Sequence, residues 1–597
     1  MALIRSEVPV EQTWNLHDLF ETDDSWEKEL ASVEFDIKTV TQFKGSVGKS
    51  AKNLLDCLVA KDALQERVMR VMSYADLHMS VDGTNSSYQA NAARAASLVS
   101  SVSASMSFIK SELLALDSET IQSYIKEEQG LQEFKKTLSD ILEAKEHTLS
   151  PDAEEVLAAF GEVMGSPYLI YQRSKTSDME FSSFTTDDGV EHPLTFNSFP
   201  KYEDSANTEL RRKASAAFAE SLNKYKNTYA ATYATEVKKQ VIEARLRGFE
   251  SVTEMLLDEQ QVTKEMYHNQ LHTIQTELAP HMRRLAKLKK RVLGLENMYY
   301  SDLKAPLDPD FDPEVTYEEA SKLVLEALQV MGPEYIEIME EGIQNRWVDR
   351  ADNVGKRSGA FCSSPYGAHP YILMTWSNSM RNTFTLAHEL GHAGHFVLAG
   401  RNQRISNTRP SRYFVEAPST MNEMLLSRHI LSQSNDGRMK RWVILQSLGT
   451  YYHNFVTHIL EGELQRRVYE LADKGTPITA KILCEQKTEL LSSFWGEDVE
   501  MDELAALTWM RQPHYYMGLY PYTYSAGLTA STAASQMIQE EGQPAVGRWL
   551  SALKAGGTLK PLELMKLAGI DMSTSAPIKK AVAYVGSLVD ELEKSFE

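Results

Sequence analysis

Apolar residues recur at three- and four-residue spacing through most of this chain, and that pattern predicts one helix after another. Before residue 200 it marks helices over 26–35, 53–82, 86–116, 119–146 and 152–163, separated by Gly and Ser clusters. Small residues crowd 92–107, where helical spacing means close helix packing rather than low complexity. The stretch 181–200 changes character, with Phe, Thr, Asp-Asp-Gly and two prolines, and predicts a short hairpin and a linker. Beyond it come long charged helices over 209–247 and 263–293, then helices over 317–331 and around 334–347. Only 354–361 and 369–376, on either side of a Pro/Gly turn, read convincingly as strands. A boundary near 200 separates an N-terminal helical domain, 1–200, from a second domain, 201–597.

The sharpest local pattern follows the second strand. Leu386, Leu390, Ala393 and Val397 form a helical stripe, and a neighbouring face carries His388-Glu389-x-x-His392. Residues four apart share a helix face, so both imidazoles can turn onto one ion while Glu389 handles a proton. Gly391 and Gly394 each lower helix propensity by about 1 kcal/mol, which points to a close neighbour, either packed backbone or substrate. Catalytic zinc usually takes three protein ligands. A third histidine ten residues after the first is missing, because position 398 is Leu398. A glutamate is the alternative, and 413–423 offers Glu416 and, about two helical turns on, Glu423. On one helix, one carboxylate can bind metal while the other orients a ligating histidine. Pro418 then fits only in the first turn or at a kink.

Composition narrows the class. With 597 residues, 42% hydrophobic and 24% charged, the chain can bury a large core. No apolar run reaches the roughly 18 residues of a membrane span, so no membrane partner is expected. The cysteines, Cys57, Cys362 and Cys484, are odd in number and scattered, which suits reduced thiols and a cytoplasmic location. A net charge of −21 excludes nucleic acid as the expected partner.

A last constellation sets His514 beside Tyr515, Tyr516, Tyr520, Tyr522 and Tyr524. Phenol and imidazole donors suit the oxyanion of a tetrahedral intermediate, although aromatic packing explains most of these rings.

The segment 385–392 followed by Phe-Val-Glu-Ala-Pro-Ser at 414–419 resembles the thimet oligopeptidase and oligoendopeptidase F family of zinc metallopeptidases, most closely oligoendopeptidase F. The resemblance implies that His388, His392 and Glu416 ligate one zinc per chain and that Glu389 is the general base. Glu423 is then the carboxylate that orients a ligand. It also implies a strand that aligns an extended substrate, here with Gly359, Ala360 and Phe361. In the family's His- and Tyr-rich loop, whose spacing in thimet oligopeptidase is about one residue shorter, His514, Tyr520 and Tyr524 are the best match for groups that meet substrate. The implied fold is mostly α: two helical lobes around a deep substrate channel, with a small β-sheet beside the zinc helix of a zincin-like catalytic domain. The implied activity is hydrolysis of internal bonds in short unfolded peptides by a water that zinc and Glu389 activate. A helical zinc metallocarboxypeptidase and a non-catalytic zinc peptide-binding protein stay open, although Glu389 beside three ligands argues against the second.

Overall fold

Ser50 and Asn85 start the two longest helices of the N-terminal region, α1 (Ala51–Val81) and α2 (Ser86–Ala115). The Ser50 side chain accepts from the Asn53 amide, and Asn85 accepts from the amides of Ser87 and Tyr88, so each helix begins with otherwise unpaired donors satisfied. Their inward faces bury Leu54, Leu58, Val71, Leu98 and Leu113 around Trp26, whose indole N–H donates to the Val71 carbonyl at 2.9 Å. The structure is a computed structural model that describes residues 3–597, and helix accounts for 72% of it. The chain forms two compact units. One unit comprises Met1–Thr148, Pro313–His429 and Ala534–Gly569; the other comprises Leu149–Asp312, Ile430–Ala533 and Ile570–Glu597.

In the first unit the expected helix over 119–146 is broken into Ser118–Glu127 and Lys135–Glu143 by a tight turn. Gly130 in that turn lies so close to α1 that a Cβ there would meet Leu55 Cδ2 at 2.7 Å. The unit also holds a three-stranded sheet with spatial order β1-β3-β2: β1 (Val348–Asp349), β2 (Phe361–Ser363) and β3 (Tyr371–Leu373). β1 runs parallel to β3 with Val348 opposite Ile372, and β2 runs antiparallel with Cys362 opposite Ile372. Central β3 is buried, and β2 is an edge strand.

The strands are shorter than their apolar patterns suggest. Residues 354–360 form a loop because Gly355 and Gly359 take φ of +82° and +88°, outside extended backbone. Lys356 fixes that loop, its buried ammonium donating to Asp349 Oδ1 at 2.7 Å and to the carbonyls of Ala351 and Met374.

The second unit is built on long helices such as Thr208–Leu246, which buries Phe218, Leu222, Tyr229 and Tyr233, and Lys264–Val292, against which Ala576–Lys594 packs. Asp302 is fully buried between two guanidiniums, 2.7 Å from Arg211 and 2.7 Å from Arg212.

Candidate metal centre

Ser379 caps helix α4 (Met380–Asn402), its side chain accepting from the Asn382 amide. Leu386, Leu390 and Ala393 are completely buried, as the stripe requires, whereas Val397 is only half-buried. The two glycines mark packed neighbours rather than substrate. A Cβ on Gly391 would meet the Pro418 carbonyl oxygen at 2.5 Å, and one on Gly394 would meet the Tyr335 ring at 2.6 Å. Gly391 lets the start of α5 (Ala417–Gln433) touch the backbone of α4. Pro418 sits in the first turn of α5, where its missing N–H costs nothing. Glu416 immediately precedes that helix, and its carbonyl accepts from the Thr420 amide.

This close approach gathers the predicted donors. Glu416 Oε2 lies 3.5 Å from His388 Nε2 and 3.4 Å from His392 Nε2. One donor atom from each of the three residues falls within 4.8 Å of the others, the sole such cluster of three among the described residues. Glu423, two turns along α5, holds His388 Nδ1 at 2.6 Å. That contact puts the proton on Nδ1 and leaves the Nε2 lone pair directed at the cluster. Burial works to raise the Glu416 carboxyl, but the His388 and His392 side chains beside it hold it well below the usual range, so it is an anion ready to ligate.

Glu389 is 5% exposed, and its Oε2 finds no hydrogen-bond partner among the described residues. Burial raises its carboxyl above the ordinary range, against the pull of His388 and His392. A buried carboxylate with a bare oxygen beside two imidazoles and a third donor fits a divalent cation and an attacking water; a structural ion pair would have used that oxygen. His395 is different: fully buried, pushed down to about 3 by burial, it packs edge-on to Phe414 as a neutral ring.

Asn422 is a residue that sequence reasoning missed. Its Nδ2 donates to the Ala387 carbonyl at 3.1 Å, and its Oδ1 accepts from Tyr335 OH at 3.0 Å, with all three groups buried. It ties α5 and helix α3 (Pro333–Gln344) to the turn that presents His388. The signal available was one polar position facing the core between Met421 and Met424.

β2 packs beside α4, and Cys362 on it lies near enough to Glu389 for that carboxylate to add to the burial that pushes the thiol up. Of the three expected substrate positions, Phe361 is in β2 with its ring toward Trp14, 6.4 Å away; Gly359 and Ala360 lie in the preceding loop.

The His- and Tyr-rich segment belongs to the other unit, where the five tyrosines divide sharply. Tyr515 hydrogen-bonds the buried Glu461 and stacks on Tyr233, Tyr516 packs against Tyr171, and Tyr522 donates to Gln260. Those three are framework. Tyr520 stacks on His514 at 4.9 Å, and Tyr524 Oη is 3.4 Å from His514 Nε2. His514, Tyr520 and Tyr524 are thus brought together, half-buried, and burial pushes His514 down to about 4. Two histidines that the sequence did not single out extend the group: His458 stacks on Tyr524 at 4.2 Å and meets His453 at 3.1 Å.

Two imidazoles on one helix, a glutamate at the start of the next and a desolvated carboxylate between them define a metal-dependent hydrolase. Residues 201–584 match the model of Peptidase family M3, and residues 112–181 match that of Oligopeptidase F. Oligopeptidase PepF of Bacillus subtilis is 34% identical over 590 residues, covering 99% of this chain and 88% of the relative. Among solved structures, a peptidase from Chlamydophila abortus superposes with a TM-score of 0.91 at 25% identity over the whole of both chains. Oligoendopeptidase-F from Enterococcus faecium superposes at 0.75 and 25% identity, over 96% of this chain and 99% of that one. The chain therefore belongs to peptidase family M3, and it is a metallopeptidase of the oligopeptidase F group.

Proposed function

We propose that the protein is a zinc-dependent oligoendopeptidase that cleaves internal bonds of short, unfolded peptides. The observation that carries this reading is the bare, buried Glu389 carboxylate beside the His388, His392 and Glu416 donors. Two imidazoles and one carboxylate are a usual zinc donor set with a position left for substrate or water. Zinc held there supplies Lewis acidity that polarises a peptide carbonyl and acidifies water. Glu389 takes the proton from the attacking water and hands it to the departing amine. His388 is kept in one tautomer by Glu423. The edge of β2 offers unpaired backbone groups beside α4 for an extended peptide, with Gly359, Ala360 and Phe361 at its start. His514, Tyr520 and Tyr524 are assigned to steady the developing oxyanion, with phenol or imidazole N–H groups as donors.

The division into 1–200 and a catalytic domain of 201–597 is kept in this reading, supported by a family match that begins at 201. A cytoplasmic location is supported by three free cysteines. No helix among the described residues is long and apolar enough to cross a membrane. The test is mass spectrometry of a mixed-length peptide library, capped and uncapped, with a chelator reversed by zinc. Chelator-sensitive internal cuts in capped short peptides are expected; cuts confined to free C-termini would move the assignment to a carboxypeptidase.

A further inference from the structure

Beyond Ser363, the end of β2, the chain turns through Ser364 to Gly367 and forms one wall of a cavity of about 330 Å³. Phe396, Val397 and Arg401 of α4 also line it, together with Arg409 and one carboxylate, Glu341. This explains why Val397, at a stripe position, is left half-exposed. Arg409 is held in place without being neutralised. Its guanidinium stacks over Phe396, Cζ 4.1 Å from the ring centroid, and Nη2 donates to the Ser364 carbonyl at 3.1 Å. Among the described residues no carboxylate lies within 4.0 Å of it. Arg401, in the same cavity, has only Glu341 at 3.8 Å, beyond hydrogen-bond reach.

An unpaired, oriented guanidinium is notable on a chain whose net charge is −21. Its position relative to the metal donors follows from two ring contacts. The His392 and Phe396 rings are near-parallel with centroids 6.1 Å apart, and Arg409 stacks on Phe396. The cation is therefore within about 10 Å of the His392 ring, the span of roughly three extended residues. The cavity begins where β2 ends, since Ser364, which follows Ser363, lines it.

We infer that the cavity beside α4 is a subsite for a carboxylate of the peptide, bound by Arg409 with support from Arg401. The inference rests on the oligoendopeptidase reading for its ligand. The carboxylate is either the free C-terminus or an acidic side chain within about three residues of the scissile bond. A planar guanidinium pre-set by stacking favours paired hydrogen bonds to such a group over a neutral amide.

The test uses the full chain loaded with zinc and carrying Glu389→Gln, so that peptides bind without turnover. Fluorescence anisotropy then gives Kd for labelled peptides of one core sequence, ending in carboxylate or carboxamide, and for Asp against Asn at successive positions. One of the two series is expected to bind roughly 5- to 10-fold more tightly in its carboxylate form, which identifies the source, and to lose that preference in high salt. Adding Arg409→Gln should bring the ratio close to one, while Arg409→Lys should retain part of it. Equal Kd values in both series, no binding at all, or a preference that survives Arg409→Gln with an unchanged melting temperature would each overturn the proposal. Failure of the oligoendopeptidase reading is seen separately, as absence of chelator-sensitive cleavage by the wild-type chain.

Discussion

Glu423 holds the Nδ1 nitrogen of His388 at 2.6 Å, across from the Nε2 nitrogen that faces Glu416 and His392. One carboxylate thereby sets the tautomer and the rotation of a donor whose other nitrogen must be free. Glu423→Ala is expected to cost about 10–100-fold in metal affinity or activity. Zinc retained after dialysis against a graded chelator measures it, and wild-type retention with wild-type rate would reduce Glu423 to a packing residue.

Glu389→Gln should separate chemistry from binding. The amide removes the proton acceptor but none of the three metal donors, so zinc stays stoichiometric while turnover collapses. Glu416→Ala should show the reverse order, losing zinc first. Metal analysis beside single-turnover rates distinguishes the two, and a fully active Glu389→Gln enzyme would sink the mechanism.

Conservative changes in the aromatic group give a finer test. If Tyr520 or Tyr524 donates to the oxyanion, its Phe variant should lower kcat by about 100- to 1,000-fold with a small change in KM. A variant that alters only KM assigns that ring to substrate contact.

Gly391→Ala places a methyl where the Pro418 carbonyl already stands, 2.5 Å away, with backbone on both sides unable to yield. Overpacking of this kind costs about 1–3 kcal/mol. Because the contact sets the distance from α4 to Glu416, thermal unfolding should show lower stability and chelator titration a weaker metal site together.

Asp302 is buried against Arg211 and Arg212. Burial alone would raise its carboxyl, yet hydrogen bonds from Arg212 and Arg211 hold it below the ordinary aspartate range. Its folded pKa is depressed, so its contribution is fully present above the unfolded value and is lost as pH falls from about 4 through the folded value. Asp302→Asn leaves the buried Arg211 guanidinium without its counter-charge and should cost about 3–5 kcal/mol at neutral pH. Denaturant midpoints from pH 7 to 3 should fall less steeply for the variant than for the wild-type chain.

Local geometry explains what could be read from sequence. His388 and His392 share a turn, and Glu416 and Glu423 sit two turns apart, so helical spacing alone put both pairs on usable faces. What depended on contacts across sequence did not show. Asn422 reaching Ala387, Gly130 crowded by Leu55 and Arg409 laid over Phe396 are each set by a partner distant in the chain. Apolar runs overstated the strands, because period-two alternation cannot register that Gly355 and Gly359 turn the backbone away. The tyrosines illustrate the same limit: composition flagged all five, but only tertiary packing separates Tyr515, Tyr516 and Tyr522 from the pair beside His514.

The free edge of β2 runs for three residues. An open edge is an invitation to any extended chain, including another copy of the same protein, and long flat ones seed aggregation. Three residues provide only two or three backbone hydrogen bonds, enough to register a flexible peptide but too few to hold a second sheet. Brevity at this edge gives selectivity against self-association without a blocking proline or charge, and it makes engagement there readily reversible.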